Sequence, residues 1–379
     1  SFLTYMLLMN ILMIFFIFLH ENVRSNVVDD RLNLMPVPQK VELKDGNYRL
    51  TKTFSIKIVG DSSHRLNFYT TKVLRRLAGR TGMFFEQGFV VTDEKTNHSS
   101  MEVICQRTGK LKLFEDESYF LKIDHDKIIL RSQTDIGAIR GLETFLQLLS
   151  ADNDGYCFPC VEIEDFPRFP WRGLLIDVCR HFMPLYVIKR NLDAMAAVKM
   201  NVLHLHLSED QGFRVESKTF PKLHELGSDG MYYTQTQIME IVEYADKLGI
   251  RIVPEFDIPG HATSWLVGYP EIASAPGPYQ IEREWGVKDP ILNPTLKKTY
   301  KFLEKFFKEM VTLFPDEYMH IGGDEVNGKQ WDSNPQIQKY MKEKGIKDNH
   351  DLQKYFNQRI LRILNKYGKK MIGWDEIFQ

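Results

Sequence analysis

Two adjacent carboxylates, Asp324 and Glu325, close the stretch Tyr318-Met319-His320-Ile321-Gly322-Gly323. Four residues suited to a buried strand run into two glycines. Glycine accepts backbone angles and close approaches that other residues resist, so the pair marks a strand end where the chain turns sharply or lies against a ligand. Side by side in a partly dry cleft, two carboxyls do not both ionise cheaply: one is pushed toward keeping its proton while the other stays charged. That is a general acid beside a fixed negative charge. A blander reading has Asp324 cap the next helix and leaves Glu325 solvated, and an isolated Gly-Gly-Asp-Glu favours it. The chemical reading gains only if other elements bring further polar groups to the same place.

The elements after residue 168 do so. Apolar runs alternate with helical stretches: 174–176 then a helix over 185–200, 202–207 then 234–248, 250–256 then 296–314, 318–321 then helical sequence to Tyr367, and finally 370–374. Strands read as continuous apolar runs when helices cover them on the outside. Repeated β-then-α units predict a parallel sheet and, as the leading architecture, a (β/α)8 TIM barrel. Five strands are legible where a closed barrel needs eight. The expectation is therefore a barrel truncated after about five strands, incomplete at the C-terminus, with two unpaired edges.

In such barrels catalytic groups sit at the C-terminal strand ends, where the loops converge. Here the first strand ends in Asp177 and Arg180-His181, and the second in Ser208-Glu209-Asp210-Gln211. The third ends in Glu255-Phe256-Asp257-Ile258-Pro259-Gly260-His261, the fourth in Asp324-Glu325 and the fifth in Trp374-Asp375-Glu376. Any one of these ends could be a cap or a solvated loop; five together predict a carboxylate-rich pocket with bases and an aromatic wall. That inventory suits a sugar, since carboxylates and Arg clamp hydroxyls, a Trp face packs on a pyranose, and paired acids cleave glycosidic bonds. His204 and His206, two apart on a strand, share one face; without further matched ligands they read as structural rather than metal-binding. No phosphate-cradling loop, dinucleotide fingerprint or nucleophilic triad appears, so no cofactor and no metal is expected.

A net charge of -1 over 379 residues gives no electrostatic footprint for nucleic acid. Of the four cysteines, Cys157 and Cys160 have CxxC spacing, read as a chance pair or a local disulfide before a metal half-site. Residues 2–19 are almost wholly apolar, which predicts a signal peptide or signal-anchor within 1–24 and a secreted, periplasmic or lumenal setting. Asn97-His98-Ser99 is a candidate N-glycosylation site. Residues 33–166 mix alternating strands (54–59, 119–123, 128–130) with helices over 66–77 and 136–149. They form an α+β module without catalytic spacing, joined by Pro167-Arg168-Phe169-Pro170 to the barrel at 168–379.

These motifs resemble glycoside hydrolase family 20, the β-N-acetylhexosaminidases. The resemblance is carried by His320-Ile321-Gly322-Gly323-Asp324-Glu325-Val326, Arg172-Gly173-Leu174-Leu175-Ile176-Asp177 through Arg180-His181, the run from Asn201 to Leu207, and Pro254-Glu255-Phe256-Asp257-Ile258-Pro259-Gly260-His261. Met35-Pro36-Val37-Pro38-Gln39-Lys40 is similar to the opening of that family's non-catalytic N-terminal domain. The resemblance implies release of terminal N-acetylglucosamine or N-acetylgalactosamine with retention, the substrate's own acetamido oxygen acting as nucleophile through an oxazolinium ring. It makes Glu325 the general acid and base, and Asp324 the holder of the acetamido group. Arg180 binds ring hydroxyls, and Trp374 walls the subsite. His261 and Glu209 form a charge relay, with Asp210 sharing that role or reaching the substrate. Glu209 stands where the family more often has Asp, and Leu205 where Trp is common. The competing expectation is a truncated, catalytically inactive sugar-binding homologue. The expected partner is an N-acetylhexosaminide glycan or chitooligosaccharide, and a homodimer is compatible with the reading.

Overall fold

The computed structural model describes residues 32–87 and 99–378; the apolar stretch at 2–19 and the Asn97-His98 part of the glycosylation motif lie outside them. The chain divides into two compact units, one formed by Ser1–Gly109 and Asp116–Arg168, the other by Lys110–Glu115 and Phe169–Gln379.

The first unit is built on a mixed sheet in the order β1 (Lys40–Arg49), β7 (Gly155–Asp165), β4 (Tyr119–Ile123), β5 (Ile128–Thr134), β3 (Met101–Arg107), β2 (Ile56–Gly60), with β6 (Ser150–Asp152) paired to β7. Helix α1 (His64–Thr81) is capped by the Ser63 side chain and buries Leu66, Tyr69, Val73, Leu74 and Leu77, the face its spacing predicts. Helix α2 (Asp135–Gln147) starts at a Thr134 cap. Sequence reading passes over β3 and β7. β7 carries a glycine at its start and a proline inside, both poor strand signals, yet it runs between β1 and β4. Cys157 and Cys160 are both free. They lie three residues apart on β7, so their side chains leave opposite faces and no local disulfide forms.

The second unit holds the five-stranded parallel sheet, in chain order across its width: β8 (Gly173–Asp177), β9 (Val202–His206), β12 (Arg251–Glu255), β13 (Tyr318–His320) and β14 (Lys370–Ile372). Between β9 and β12 come the hairpin β10 (Ser208–Glu209) and β11 (Gly212–Phe213), then α4 (Lys222–Gly227) and α5 (Gln235–Lys247). The connection from β8 to β9 carries α3 (Leu185–Ala197), and that from β12 to β13 carries α6 (Thr263–Gly268) and α7 (Lys297–Leu313). After β13 come α8 (Lys329–Ser333), α9 (Pro335–Lys344) and α10 (Asn349–Lys366). Thr234 closes a capping box with Gln237 at the start of α5. Phe213, Phe256, Trp265 and Phe306 form a fully buried aromatic cluster, with ring centroids as close as 4.8 Å between Trp265 and Phe306.

Parallel register aligns the strand ends. Asp177 pairs with His206, His206 with Glu255, and Glu255 with His320. The polar residues that end successive strands thus form one lateral row, and the loops leaving that row carry the residues with chemical potential.

Candidate active site

Each loop is shaped by its own strand end. After β8, Asp177 Oδ1 accepts the backbone N–H groups of Cys179 (2.8 Å) and Arg180 (3.0 Å), and Oδ2 takes Arg180 Nη1 at 2.8 Å. Asp177 thereby fixes both the loop and the guanidinium it presents. Behind it lies Arg214, buried with no carboxylate paired to it among the described residues but bonded to the carbonyls of Val178 (3.1 Å), Cys179 (2.6 Å), Gln211 (3.3 Å), Ser228 (2.7 Å) and Met231 (2.9 Å). One fork of donors ties the β8 loop to the β10–β11 turn.

That turn sets Glu209 inward. Its Oε2 lies 3.2 Å from Arg180 Nη2 and 3.0 Å from His206 Nε2, and its Oε1 2.7 Å from His261 Nδ1. Burial opposes the charge, but the hydrogen bonds from His206 and His261 outweigh it and hold the carboxyl down to about 2. Asp210, expected to share the relay or reach the substrate, is buried. Its Oδ1 accepts Thr263 N–H (2.9 Å) and Thr263 Oγ1 (2.6 Å), and its Oδ2 lies 3.5 Å from His261. A hairpin turn sends adjacent side chains in different directions, so Asp210 anchors the start of α6 through Thr263 and lies beside His261. Burial would depress His261, yet Asp210 and Glu209 push the imidazole up to about 12, so it is a fixed cation.

His261 brings the paired carboxylates in. Its Nε2 is 3.5 Å from Glu325 Oε2 and 3.8 Å from Asp324 Oδ2. Asp324 does not cap a helix: the next one, α8, starts at Lys329 with Gly328 as its N-cap. Both His261 (φ 47°) and Glu325 (φ 52°) hold left-handed backbone conformations rare for residues with a Cβ. Such strain persists only where the surroundings over-determine it, which is common at functional sites. The turn before them needs glycine: Gly322 has φ 64°, and a Cβ there would lie 2.0 Å from Asp257 Oδ1, the same atom that accepts Gly323 N–H at 3.0 Å. Burial first, and the Asp324 charge second, push the Asp257 carboxyl well above its usual range. The carboxyl pushed toward keeping its proton is thus the buried Asp257 beneath the turn.

Under this surface lies Glu255, with no exposed area. Its Oε2 is 2.6 Å from His204 Nε2 and 3.0 Å from His206 Nδ1, and its Oε1 is 3.0 Å from Trp374 Nε1. Burial opposes its charge, but hydrogen bonds from His204 and His206 hold the carboxyl well below the usual range. His206 touches a carboxylate with each ring nitrogen, which both can donate to only as the imidazolium. Against burial, Glu209 and Glu255 raise it well above its ordinary value. The Trp374 ring stacks over His204 at 5.9 Å and meets His320 edge-on at 5.0 Å. It is 37% exposed, so one face is open while the indole N–H is tied down.

Asp324, Glu325, His261, Glu209 and Arg180 therefore converge in one linked network, and Trp374 joins it through Glu255. Asp257, His206, Glu255 and Arg214 complete it and were not singled out as site residues from sequence. The signal for His206 and Glu255 was their place as last residues of neighbouring strands. Arg180 Nε, His261 Nε2 and Asp324 Oδ1 are buried and have no hydrogen-bond partner among the described residues. Partly shielded carboxylates, a fixed cation and an aromatic face beside open polar valences equip this surface for proton transfer to a polyhydroxylated ligand.

The model of the glycosyl hydrolase family 20 catalytic domain matches residues 169–379, and that of the family's domain 2 matches 31–166. Beta-hexosaminidase subunit A2 of Dictyostelium discoideum is 36% identical over 377 residues, covering 98% of this chain and 67% of its own length. Beta-hexosaminidase subunit alpha of Rattus norvegicus is 44% identical over 266 residues, 69% of this chain and 50% of that one. Among solved structures, the chitobiase of Flavobacterium johnsoniae superposes with a TM-score of 0.90 at 51% identity, over 92% of this chain and 53% of that one. An exo beta-N-acetylglucosaminidase from Vibrio harveyi in complex with N-acetylglucosamine gives 0.76 at 30% identity, over 90% and 55%. The chain thus spans between half and two thirds of the length of these relatives.

Proposed function

Because the chain belongs to glycosyl hydrolase family 20, we propose that it hydrolyses terminal non-reducing N-acetyl-D-glucosamine or N-acetyl-D-galactosamine from glycans or chitooligosaccharides, with retention of configuration. Its five parallel strands are read as part of a (β/α)8 barrel. The observation that carries the reading is the meeting of Asp324 and Glu325 at the His261 imidazole, 3.8 and 3.5 Å away.

Glu325 gives its proton to the glycosidic oxygen as the C1–O bond breaks, and the acetamido oxygen closes on C1. Asp324 accepts the acetamido N–H and offsets the positive charge of the oxazolinium ring. The Glu325 carboxylate left behind faces the His261 cation, which stabilises it until it takes a proton from the water that attacks C1 and breaks the C1–O bond to the acetamido oxygen, restoring the acetamide and the protonated Glu325. Glu209 holds His261 charged and in place; Arg180 binds ring hydroxyls and Trp374 packs on the sugar face. The apolar stretch at 2–19 supports a secreted, periplasmic or lumenal setting, which recovery of the protein outside the cytoplasm would test.

The reading is tested with a chromogenic N-acetyl-β-D-glucosaminide. The protein should release the chromophore with β-configured product, and Glu325→Gln should lower turnover of a poor leaving group by roughly 10²–10⁴. Absence of both hydrolysis and N-acetylglucosamine binding by the unaltered protein would overturn it, and trapping a glycosyl ester on an enzyme carboxylate would overturn the substrate-assisted step.

A further inference from the structure

We infer that Glu255 is a positioning residue that locks the sugar platform and the proton relay to one another, so that Trp374 and His261 are set by a single buried carboxylate. The inference rests on the roles proposed for Trp374 and Glu325 and adds a group that touches neither substrate nor reacting atoms.

The geometry supporting it is a chain of direct contacts with no break. Trp374 Nε1 donates to Glu255 Oε1 at 3.0 Å; Glu255 Oε2 lies 3.0 Å from His206 Nδ1; His206 Nε2 lies 3.0 Å from Glu209 Oε2; and Glu209 Oε1 lies 2.7 Å from His261 Nδ1, whose other nitrogen faces Glu325. Carboxylate and imidazole alternate from Glu255 to His261, so His206 and Glu209 each lie between partners of opposite charge. Purely structural burial does not require a charge here: a carboxylate with no exposed area costs several kcal/mol to desolvate, and an apolar side chain of similar volume would fill the space without that cost. What the carboxylate adds is direction. It accepts from the indole N–H at Oε1 and lies 3.0 Å from the His206 imidazole at Oε2, so the tilt of the platform and the placement of the relay are not independent.

Four groups face Glu255: His204 and His206 from β9, His320 from β13 with Nδ1 at 3.2 Å from Oε1, and Trp374 beyond β14. Burial pushes His204 below its ordinary value, and its Nε2 lies 2.6 Å from Glu255 Oε2. His320 Nδ1 already accepts Gly322 N–H at 3.0 Å, which turns that ring toward the Gly322-Gly323 turn. His206 is the group whose charge depends on having two carboxylates.

The test uses Glu255→Gln and Trp374→Phe, alone and together, in the full chain. Glu255→Gln keeps the shape and an acceptor for the indole but removes the charge that sustains the His206 imidazolium. kcat per folded molecule should fall roughly tenfold to a hundredfold, the scale of a sub-ångström to ångström misplacement of catalytic groups, and the alkaline limb of the kcat/KM profile should move to lower pH. Trp374→Phe keeps a ring and deletes one N–H. A platform acting alone would change KM only, whereas the coupled arrangement moves the alkaline limb too. The double variant should lose less than the product of the two single losses, because both act on the one link between platform and relay, Trp374→Phe at its indole end and Glu255→Gln at its imidazole end. Should Glu255→Gln fail to fold, Trp374→Phe decides by its pH profile. Losses that multiply independently, or a Trp374→Phe limb that stays in place while the unaltered protein is active, overturn the coupling and leave the hydrolase reading standing; an unaltered protein without activity or sugar binding overturns both.

Discussion

Replacing Gly322 with alanine should harm the protein more than the same change at Gly345, although both glycines have nearly the same left-handed backbone, φ 64° and 68°. Alanine there costs about 1–2 kcal/mol in backbone terms at either site. At Gly345, the C-cap of α9, nothing lies within 4 Å of the new Cβ, so the backbone term stands alone. At Gly322 the Cβ would lie 2.0 Å from Asp257 Oδ1 and 2.1 Å from its Cγ. The buried carboxyl must move, and Gly323 N–H loses its 3.0 Å acceptor. Stranding a buried donor costs about 1–3 kcal/mol, giving a total of about 2–5 kcal/mol for Gly322→Ala. For a unit of this size the gap between the two variants corresponds to roughly 2–12 °C in Tm, measurable by calorimetry. Gly322→Ala should also lose activity, because Asp257 is displaced against Asp324, whereas Gly345→Ala should keep it. In an Asp257→Ala background the extra cost of Gly322→Ala should shrink, since the clash has gone. Equal losses at the two glycines in the native background would refute the assignment of Asp257 as the group that shapes the catalytic turn.

Two further outcomes follow from buried charge. Arg251 Nε and Nη2 meet Asp316 at 2.6 and 2.8 Å with both side chains almost wholly buried, so Arg251→Ala should cost about 3–5 kcal/mol in urea denaturation, and Arg251→Ala combined with Asp316→Ala less than the sum. Glu209 is held down to about 2 and His261 up to about 12. The Glu209 contribution is full above its unfolded value near pH 4.5 and is lost as pH falls toward about 2; that of His261 is full below pH 6.5 and is lost as pH rises toward about 12. Glu209→Gln should therefore destabilise most between about pH 4.5 and 6.5 and less toward pH 9; a penalty independent of pH would refute the ionic pairing.

What the sequence discloses and what it hides divide along one physical line. Apolar runs separated by helical spacing mark β8, β9, β12, β13 and β14 within a few residues of their ends, because burial on both faces leaves a local signature. Polar residues at each strand end are equally local, so Asp324, Glu325, His261, Glu209 and Arg180 stand out by position. Pairing is not local. That His206 sits beside Glu255, and Glu255 beside His320, depends on the register of parallel strands whose paired residues lie 49 and 65 positions apart, which no spacing rule encodes. For the same reason His204 and His206 read as generic structural histidines when one of them bridges two carboxylates. Asp210 illustrates the opposite limit: it is as local as Glu209, yet the turn between β10 and β11 sends its Oδ1 to Thr263 at the start of α6. A difference in direction between two neighbouring residues thus separates an anchor from a relay, so the chemistry of this site is set by which carboxylate each imidazole reaches, not by how many carboxylates the strand ends carry.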